Sequence, residues 1–143
     1  MKDMALLIDT NVVLDWMLDR EPFQENAKKV MEYCIRGEMQ GYLASHTILN
    51  VFYIVRKDMS IDERKEILLF LCNSFSIIGI DRLMIVQTLQ RGEWGDLEDG
   101  LQMLSAAHEN LDYIVTRDTK CFTASAVKIL SPEELIELIK IET

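Results

Sequence analysis

The order of short apolar runs is the feature that most constrains how this chain can fold. Each run is bounded by polar residues, and segments with helical spacing of apolar residues separate one run from the next. Short, fully apolar runs are typical of strands buried on both faces of a parallel sheet, and parallel strands need long crossover connections. We therefore predict an α/β fold in which helices cover both faces of a parallel sheet.

The predicted elements follow from that alternation and from capping residues at the helix ends. The predicted strands are about Ala5–Asp9, Tyr42–Ala44, Phe75–Ile80, Tyr113–Thr116 and Val127–Ile129. The predicted helices are about Val12–Leu18, Phe23–Arg36, His46–Lys57, Ile61–Asn73, Asp81–Arg91, Asp96–Asn110 and a last helix that begins at Ser131. No repeat or linker interrupts the 143 residues, so we expect a single domain over residues 1–143.

Acidic residues occupy the positions at which a metal-dependent nuclease needs carboxylates. Asp9 and Asp118 each follow a predicted strand, and functional groups in open parallel sheets gather beyond the carboxyl ends of the strands. Asp96 and Asp99 are three residues apart in the first turn of a predicted helix, so they share a face. Clustered carboxylates repel one another unless they are protonated or bound to a cation. Mg²⁺ and Mn²⁺ prefer such oxygen ligands, so the acids predict a metal site.

Each of these carboxylates also has a purely structural alternative. The two helical acids could cap their helix and match its dipole. Asp9 could cap the helix after the first strand, a role equally open to Thr10 or Asn11. Asp118 could form an Asx turn. The catalytic interpretation is favoured because the structural alternatives would all have to hold at once.

The composition limits the class of protein. The formal net charge is −9, which argues against a broad nucleic-acid-binding surface and suggests a basic protein partner. No apolar run reaches the ~20 residues that span a bilayer, and the start of the chain leaves no room for a signal peptide. The three cysteines are scattered and form no CxxC pair. We therefore expect a cytoplasmic protein without a membrane association.

Three segments resemble the motifs of the PIN domain family. Leu7–Asn11 resembles its opening strand and acid, Asp96–Gln102 resembles its central acidic helix, and Ile114–Asp118 followed by Phe122 resembles its closing strand and acid. The resemblance extends in order and spacing over essentially the whole chain. It is strongest to the small prokaryotic PIN proteins, which include the toxin nucleases of VapBC toxin–antitoxin pairs.

The resemblance implies an α/β/α sandwich with strand order 3-2-1-4-5 and Mg²⁺- or Mn²⁺-dependent cleavage of RNA. By motif position, Asp9, Asp99 and Asp118 would be the catalytic, metal-binding acids, and Asp96 an accessory one. The supporting polar neighbours would be Asn11, Asn50 and Thr116. A small basic antitoxin and a homodimer are the protein partners implied.

The chain departs from the family pattern at Asn50. Many members have a glutamate in the helix after the second strand, whereas an asparagine offers a carbonyl oxygen without a negative charge. The alternative to a nuclease is therefore a catalytically impaired PIN-like module that binds RNA or protein. Receiver-type and HAD-type folds are disfavoured, because the lysine and the second aspartate that they need are not at the required positions.

Some further side chains have two interpretations. Arg117 and Lys120 flank Asp118 and could contact phosphates, or they could be solvated surface charges. Trp94 could stack on a base, although packing is favoured. His46 is expected to be exposed at a helix start. The other histidine, His108, is in register with core leucines and is expected to be partly buried.

The predicted helix Ile61–Asn73 is apolar around its whole circumference near its middle. A surface helix of a globular protein needs only one apolar stripe. The excess predicts burial on more than one side, either by core packing or by a homodimer interface.

Overall fold

A parallel sheet forms the centre of the molecule in the computed structural model, which describes residues 4–91 and 95–142. Trp94 lies outside the described residues. The strands are β1 (Ala5–Ile8), β2 (Gln40–Ala44), β3 (Ser76–Ile78), β4 (Tyr113–Val115) and β5 (Lys128–Leu130). They pair in parallel in the order β3-β2-β1-β4-β5. The order expected from the family resemblance is thereby confirmed.

Helices connect the strands and cover the sheet. They are α1 (Thr10–Met17), α2 (Gln24–Ile35), α3 (Ser45–Ile54), α4 (Ile61–Ser74), α5 (Arg82–Gln90), α6 (Leu97–His108) and α7 (Pro132–Glu142). Short 3-10 turns follow α3 at Val55–Lys57 and β4 at Thr119–Phe122. Within the described ranges, no helix is long and apolar enough to cross a bilayer.

Alternate strand residues face opposite layers of the sandwich. Leu6 and Ile8 of β1 pack into a core built with α1, α2, α3, α4 and α7. Leu7, between them, faces a second core that contains Met103 and Ala106 of α6. The side chains of a strand alternate between its faces, so a fully apolar strand such as β1 serves both cores. The three-layer α/β/α architecture is therefore confirmed.

Most helix starts lie within one residue of the sequence prediction, and the start of α1 differs by two. α1 begins at Thr10, because Asp9 itself is the N-cap and accepts from the Thr10 amide. α3 begins at Ser45, with Ala44 as an N-cap that makes no side-chain hydrogen bond. The sequence favoured Ser45 as the N-cap of a helix that begins at His46; the structure instead includes Ser45 in the first turn of α3. By contrast, Ser60 forms a reciprocal capping box with Glu63 at the start of α4.

The register of β1 and β4 determines where the functional side chains lie. Ile8 is paired with Val115, and the amide of Asp9 donates to the Val115 carbonyl over 3.0 Å. β2 flanks β1 on the other side, with Leu7 paired with Tyr42. The chain leaves β1 toward β2 on one side and reaches β4 on the other. The carboxyl ends of β1 and β4 thus form the topological switch point.

α4 buries only one side in this chain. Leu68 and Leu71 pack into the core, whereas Ile61, Leu69 and Phe70 are exposed, Leu69 at 66%. Core packing therefore does not account for the apolar circumference of this helix.

Candidate active site

Asp9 lies at the floor of the site and is 6% exposed. Its Oδ1 accepts from Gln102 Nε2 at 2.7 Å and from the Thr10 amide at 2.8 Å. Its Oδ2 accepts from Thr116 Oγ1 at 2.7 Å. Burial raises the pKa of Asp9 above its ordinary value, and these three donors oppose that rise by stabilising the carboxylate. Asp9 thus both caps α1 and joins β1, β4 and α6.

Thr116 connects Asp9 to the second strand-end acid. Its hydroxyl donates to Asp9 and accepts from the Asp118 amide at 3.1 Å. Asn11 Nδ2 donates to Asp118 Oδ2 at 3.0 Å. The two acids are more than a hundred residues apart in the chain, and they approach each other because β1 and β4 are neighbours. The predicted meeting of Asp9, Asn11, Thr116 and Asp118 therefore occurs in the fold.

The first turn of α6 supplies the other acids. Asp96 is the N-cap, and its Oδ1 accepts from the Asp99 amide at 3.2 Å. The pKa of Asp99 rises from 3.8 to about 7, first because of burial and then because of the negative charges of Asp9, Asp96, Glu98 and Asp118. The negative charge of every other acid of the site therefore contributes to the raised pKa of Asp99. Asp96 does fulfil the structural alternative of a cap, and it also adds to this field.

The donor set suits a hard divalent cation in its chemistry. Carboxylate oxygens in mutual repulsion are the ligands that Mg²⁺ and Mn²⁺ take. Asp9 Oδ1 already accepts two hydrogen bonds, so Oδ2 is the atom with remaining acceptor capacity. Across residues 4–91 and 95–142, no three His, Cys, Asp or Glu side chains stand close enough together to hold one ion. Asp99 is half-buried and Asp118 is exposed.

A family model of the PIN domain matches residues 5–120 of the chain. The chain belongs to the PIN domain family. The matched segment contains all the acids described above and ends at Lys120, in the turn after Asp118. Proteins of this family are generally nucleases. No curated protein sequence matches the chain.

Solved structures share the fold at low sequence identity. The chain is 21% identical to a chain of FitAB bound to the IR36 DNA fragment, with 89% of this chain and 94% of that chain covered and a TM-score of 0.68. A toxin–antitoxin complex from Klebsiella pneumoniae gives 23% identity, 89% and 97% coverage and a TM-score of 0.68. VapBC2 from Rickettsia felis, bound to a DNA fragment from its promoter, gives 16% identity, 90% and 98% coverage and a TM-score of 0.65. These likenesses support the three-layer fold of the PIN domain.

α3 brings two further polar side chains toward the site of this PIN domain. The Thr47 hydroxyl lies 2.9 Å from that of Thr10, the residue after Asp9. Asn50 is three residues further along α3 and half-buried. Residues three apart in a helix share a face, so Asn50 lies on the side of α3 that contacts α1.

Two side chains near the acids were missed or misjudged from the sequence. Gln102 is fully buried against Asp9, and its spacing of three residues from Asp99 was a signal for this position. His46 is half-buried rather than exposed, and both ring nitrogens are shielded from solvent without a partner among the described residues. Burial lowers the His46 pKa, while Glu98, Asp9 and Asp96 oppose that effect. His108 is exposed, so its predicted partial burial is wrong.

The two basic residues beside Asp118 have different surroundings in the PIN domain. Arg117 Nε donates to Asp15 Oδ2 at 2.8 Å, and its guanidinium stacks 4.2 Å from the centre of the Phe23 ring. Lys120 is exposed in the 3-10 turn after Asp118. Arg117 is thus held within the protein, whereas Lys120 remains available to a phosphate.

Proposed function

We propose that this PIN domain is an endoribonuclease that depends on Mg²⁺ or Mn²⁺ and hydrolyses RNA phosphodiesters. Asp9, Asp99 and Asp118 would hold the cation, with Asp96 as an accessory acid. The observation that carries the proposal is the convergence of these acids beside the switch point, where burial and then the charges of the neighbouring acids raise the pKa of Asp99. Such a cluster is costly to the apo protein and is relieved by a cation.

The surrounding residues would orient the acids. Gln102 and Thr116 fix both carboxylate oxygens of Asp9, and Asn11 fixes one oxygen of Asp118. Asp99 would hold a proton at its carboxylate near neutral pH and lose it when a cation binds. The chemistry that Mg²⁺ or Mn²⁺ supplies in such sites is polarisation of the phosphodiester and activation of water. Lys120 is exposed beside the site and would contact RNA phosphates.

We further propose a toxin-like role with a small basic antitoxin as partner. The structural relatives include toxin–antitoxin complexes, and the net charge of −9 suits a basic partner. The exposed apolar residues of α4 would form a homodimer interface. Residues 1–143 would form one domain, because α7, beyond the matched segment, packs into the same core as α2. The free cysteines suit a reducing cytoplasm.

A second candidate is a PIN-like module that binds RNA or protein without cleaving it. Asn50 and the lack of a ready-made three-ligand group within the described chain favour this candidate. It predicts weak or no binding of divalent cations.

Calorimetric titration with Mn²⁺ separates the two candidates. The nuclease proposal expects binding that falls sharply in Asp99→Asn, together with cleavage of single-stranded RNA that EDTA abolishes. Glu98→Gln is the matched control, because it removes an exposed carboxylate from the same turn of α6 without removing a proposed ligand. No Mn²⁺ binding by the wild type would refute the nuclease proposal, and equal affinity in Asp99→Asn would refute the ligand assignment.

A further inference from the structure

A partly buried ion pair lies next to the acidic site. The Asp15 carboxylate of α1 is 1% exposed and is bound by Arg117 through two nitrogens. Nε donates to Oδ2 at 2.8 Å and Nη2 donates to Oδ1 at 3.4 Å. The guanidinium also stacks on the Phe23 ring, with its central carbon 4.2 Å from the ring centre. Arg20 is a weaker partner, with its Nη1 3.9 Å from Asp15 Oδ1.

The ion pair joins the same two segments that carry the acids. Arg117 is the residue between Thr116 and Asp118, and Asp15 lies in the helix that Asp9 caps. Three side-chain links therefore run from the first strand end and α1 to the end of β4. They are Asp9 with Thr116, Asn11 with Asp118, and Asp15 with Arg117.

This ion pair matters more for the geometry of the site than for the stability of the fold. Desolvation of a buried ion pair offsets much of its Coulombic attraction, so such pairs are weak evidence for stability. A planar guanidinium that binds both carboxylate oxygens fixes distance and orientation together. Stacking on the Phe23 ring restricts the guanidinium as well. A side chain held in this way limits the positions open to the backbone of residue 117, which leads directly into Asp118.

We propose that Asp15 is a positioning residue of the acidic site, which acts through Arg117 to fix the turn that carries Asp118. The metal-affinity part of this inference rests on the proposed function, since it takes the acids to bind a cation. Removal of a residue that orients a metal ligand without binding the metal itself typically lowers metal affinity by about 10–100-fold. Arg117 accordingly serves the geometry of the site rather than contact with an RNA phosphate.

The test compares Mn²⁺ affinity in wild type, Asp15→Asn and Arg20→Gln. Asp15→Asn keeps the shape of the side chain but removes the charge that holds Arg117, and it should weaken Mn²⁺ binding by about 10–100-fold. Arg20→Gln removes only the 3.9 Å contact to the same carboxylate and should bind Mn²⁺ as the wild type does. If Asp15→Asn does not fold, Phe23→Ala is the alternative variant. It removes the ring that stacks on Arg117 and should also weaken Mn²⁺ binding.

Amide hydrogen exchange supplies a readout that does not depend on metal. The Asp118 amide donates to Thr116 Oγ1, so its exchange should accelerate selectively in Asp15→Asn, while the Ile114 amide of β4 keeps its wild-type rate. A uniform acceleration at both amides would indicate a structural role alone and overturn the proposal. Wild-type Mn²⁺ affinity and Asp118 exchange in Asp15→Asn would overturn it too. If the wild type binds no Mn²⁺, the proposed function fails, and selective Asp118 exchange still decides the positioning role.

Discussion

Asp99→Asn should make the protein more stable at alkaline pH, because Asp99 must ionise in a partly buried position and against the charges of its neighbours. Its pKa rises from 3.8 to about 7. With about 1.4 kcal/mol for each tenfold change in the ionisation constant, the full effect would be about 4 kcal/mol. The side chain is only half-buried, so solvent screening reduces the expected effect to about 2 kcal/mol.

The sign follows from the linkage between protonation and folding. A carboxyl whose pKa is higher in the folded state than in the unfolded state favours folding when it is protonated. This contribution is fully present below pH 4 and is lost as the pH rises toward and through 7. The asparagine side chain cannot ionise, so the variant loses no stability from residue 99 over that pH range. The free energy of unfolding of the variant, relative to wild type, should therefore increase by about 2 kcal/mol between pH 4 and pH 8.

Denaturant unfolding at several pH values measures this difference directly. At pH 8 the Tm of Asp99→Asn should exceed that of wild type by roughly 6–8 °C for a domain of this size. Glu98→Gln is the control, because it removes one charge that acts on Asp99 but leaves the Asp99 carboxyl in place, so most of the wild-type pH dependence should remain. Saturating Mn²⁺ at 100 times its Kd should stabilise the wild type by about 2.7 kcal/mol, and the variant by less. Parallel stability–pH curves for wild type and Asp99→Asn would refute the reasoning.

Three further substitutions test separate parts of the proposal. Leu69→Glu on α4 should shift a dimer to monomer in sedimentation. The control Ile141→Glu, at a position 80% exposed on α7, should leave the dimer intact. A wild type that is monomeric at high micromolar concentration contradicts the interface. Asn50→Glu should lower apo stability and increase the Tm gain from Mn²⁺; an unchanged gain places Asn50 outside the site. Gln102→Leu should lower the free energy of unfolding by about 1.5–3 kcal/mol at pH 8, because it removes a donor to a buried carboxylate. The control Ser105→Ala should change it little, because it deletes a buried hydroxyl that has no hydrogen-bond partner in the described structure.

The sequence predicted the elements of the fold and, through the family resemblance, their order. Apolar runs such as Ala5–Ile8 mark buried strands because both of their faces must be covered. Exact helix starts were harder, since Asp9, Thr10 and Asn11 could each have capped α1 and only the structure distinguishes them. The predicted strand from Phe75 begins one residue later. Phe75 is the C-cap of α4. Its ring packs so closely on Gly41 that a Cβ added to that glycine would lie 2.6 Å from the ring.

The site was predictable where it depends on strand ends and helical spacing, and unpredictable where it depends on contacts between distant segments. Asp9 and Asp118 follow strands, so their convergence required only the strand order. The partner of Arg117 could not be read from its neighbours, because Asp15 precedes it by 102 positions. His46 was expected to be exposed, since nothing in the local pattern of α3 shows that its ring nitrogens are covered.

The asparagine at position 50 is physically consistent with the rest of the site. Burial first, and then the charges of Asp9, Asp96, Glu98 and Asp118, raise the pKa of Asp99 to about 7. One more carboxylate on the inner face of α3 would raise that pKa further and destabilise the apo protein. Under the proposed function, an amide there would supply an oxygen ligand without this electrostatic cost, although it would contribute less to holding a divalent cation. The opposite changes expected for Asn50→Glu in metal affinity and apo stability follow from that proposal.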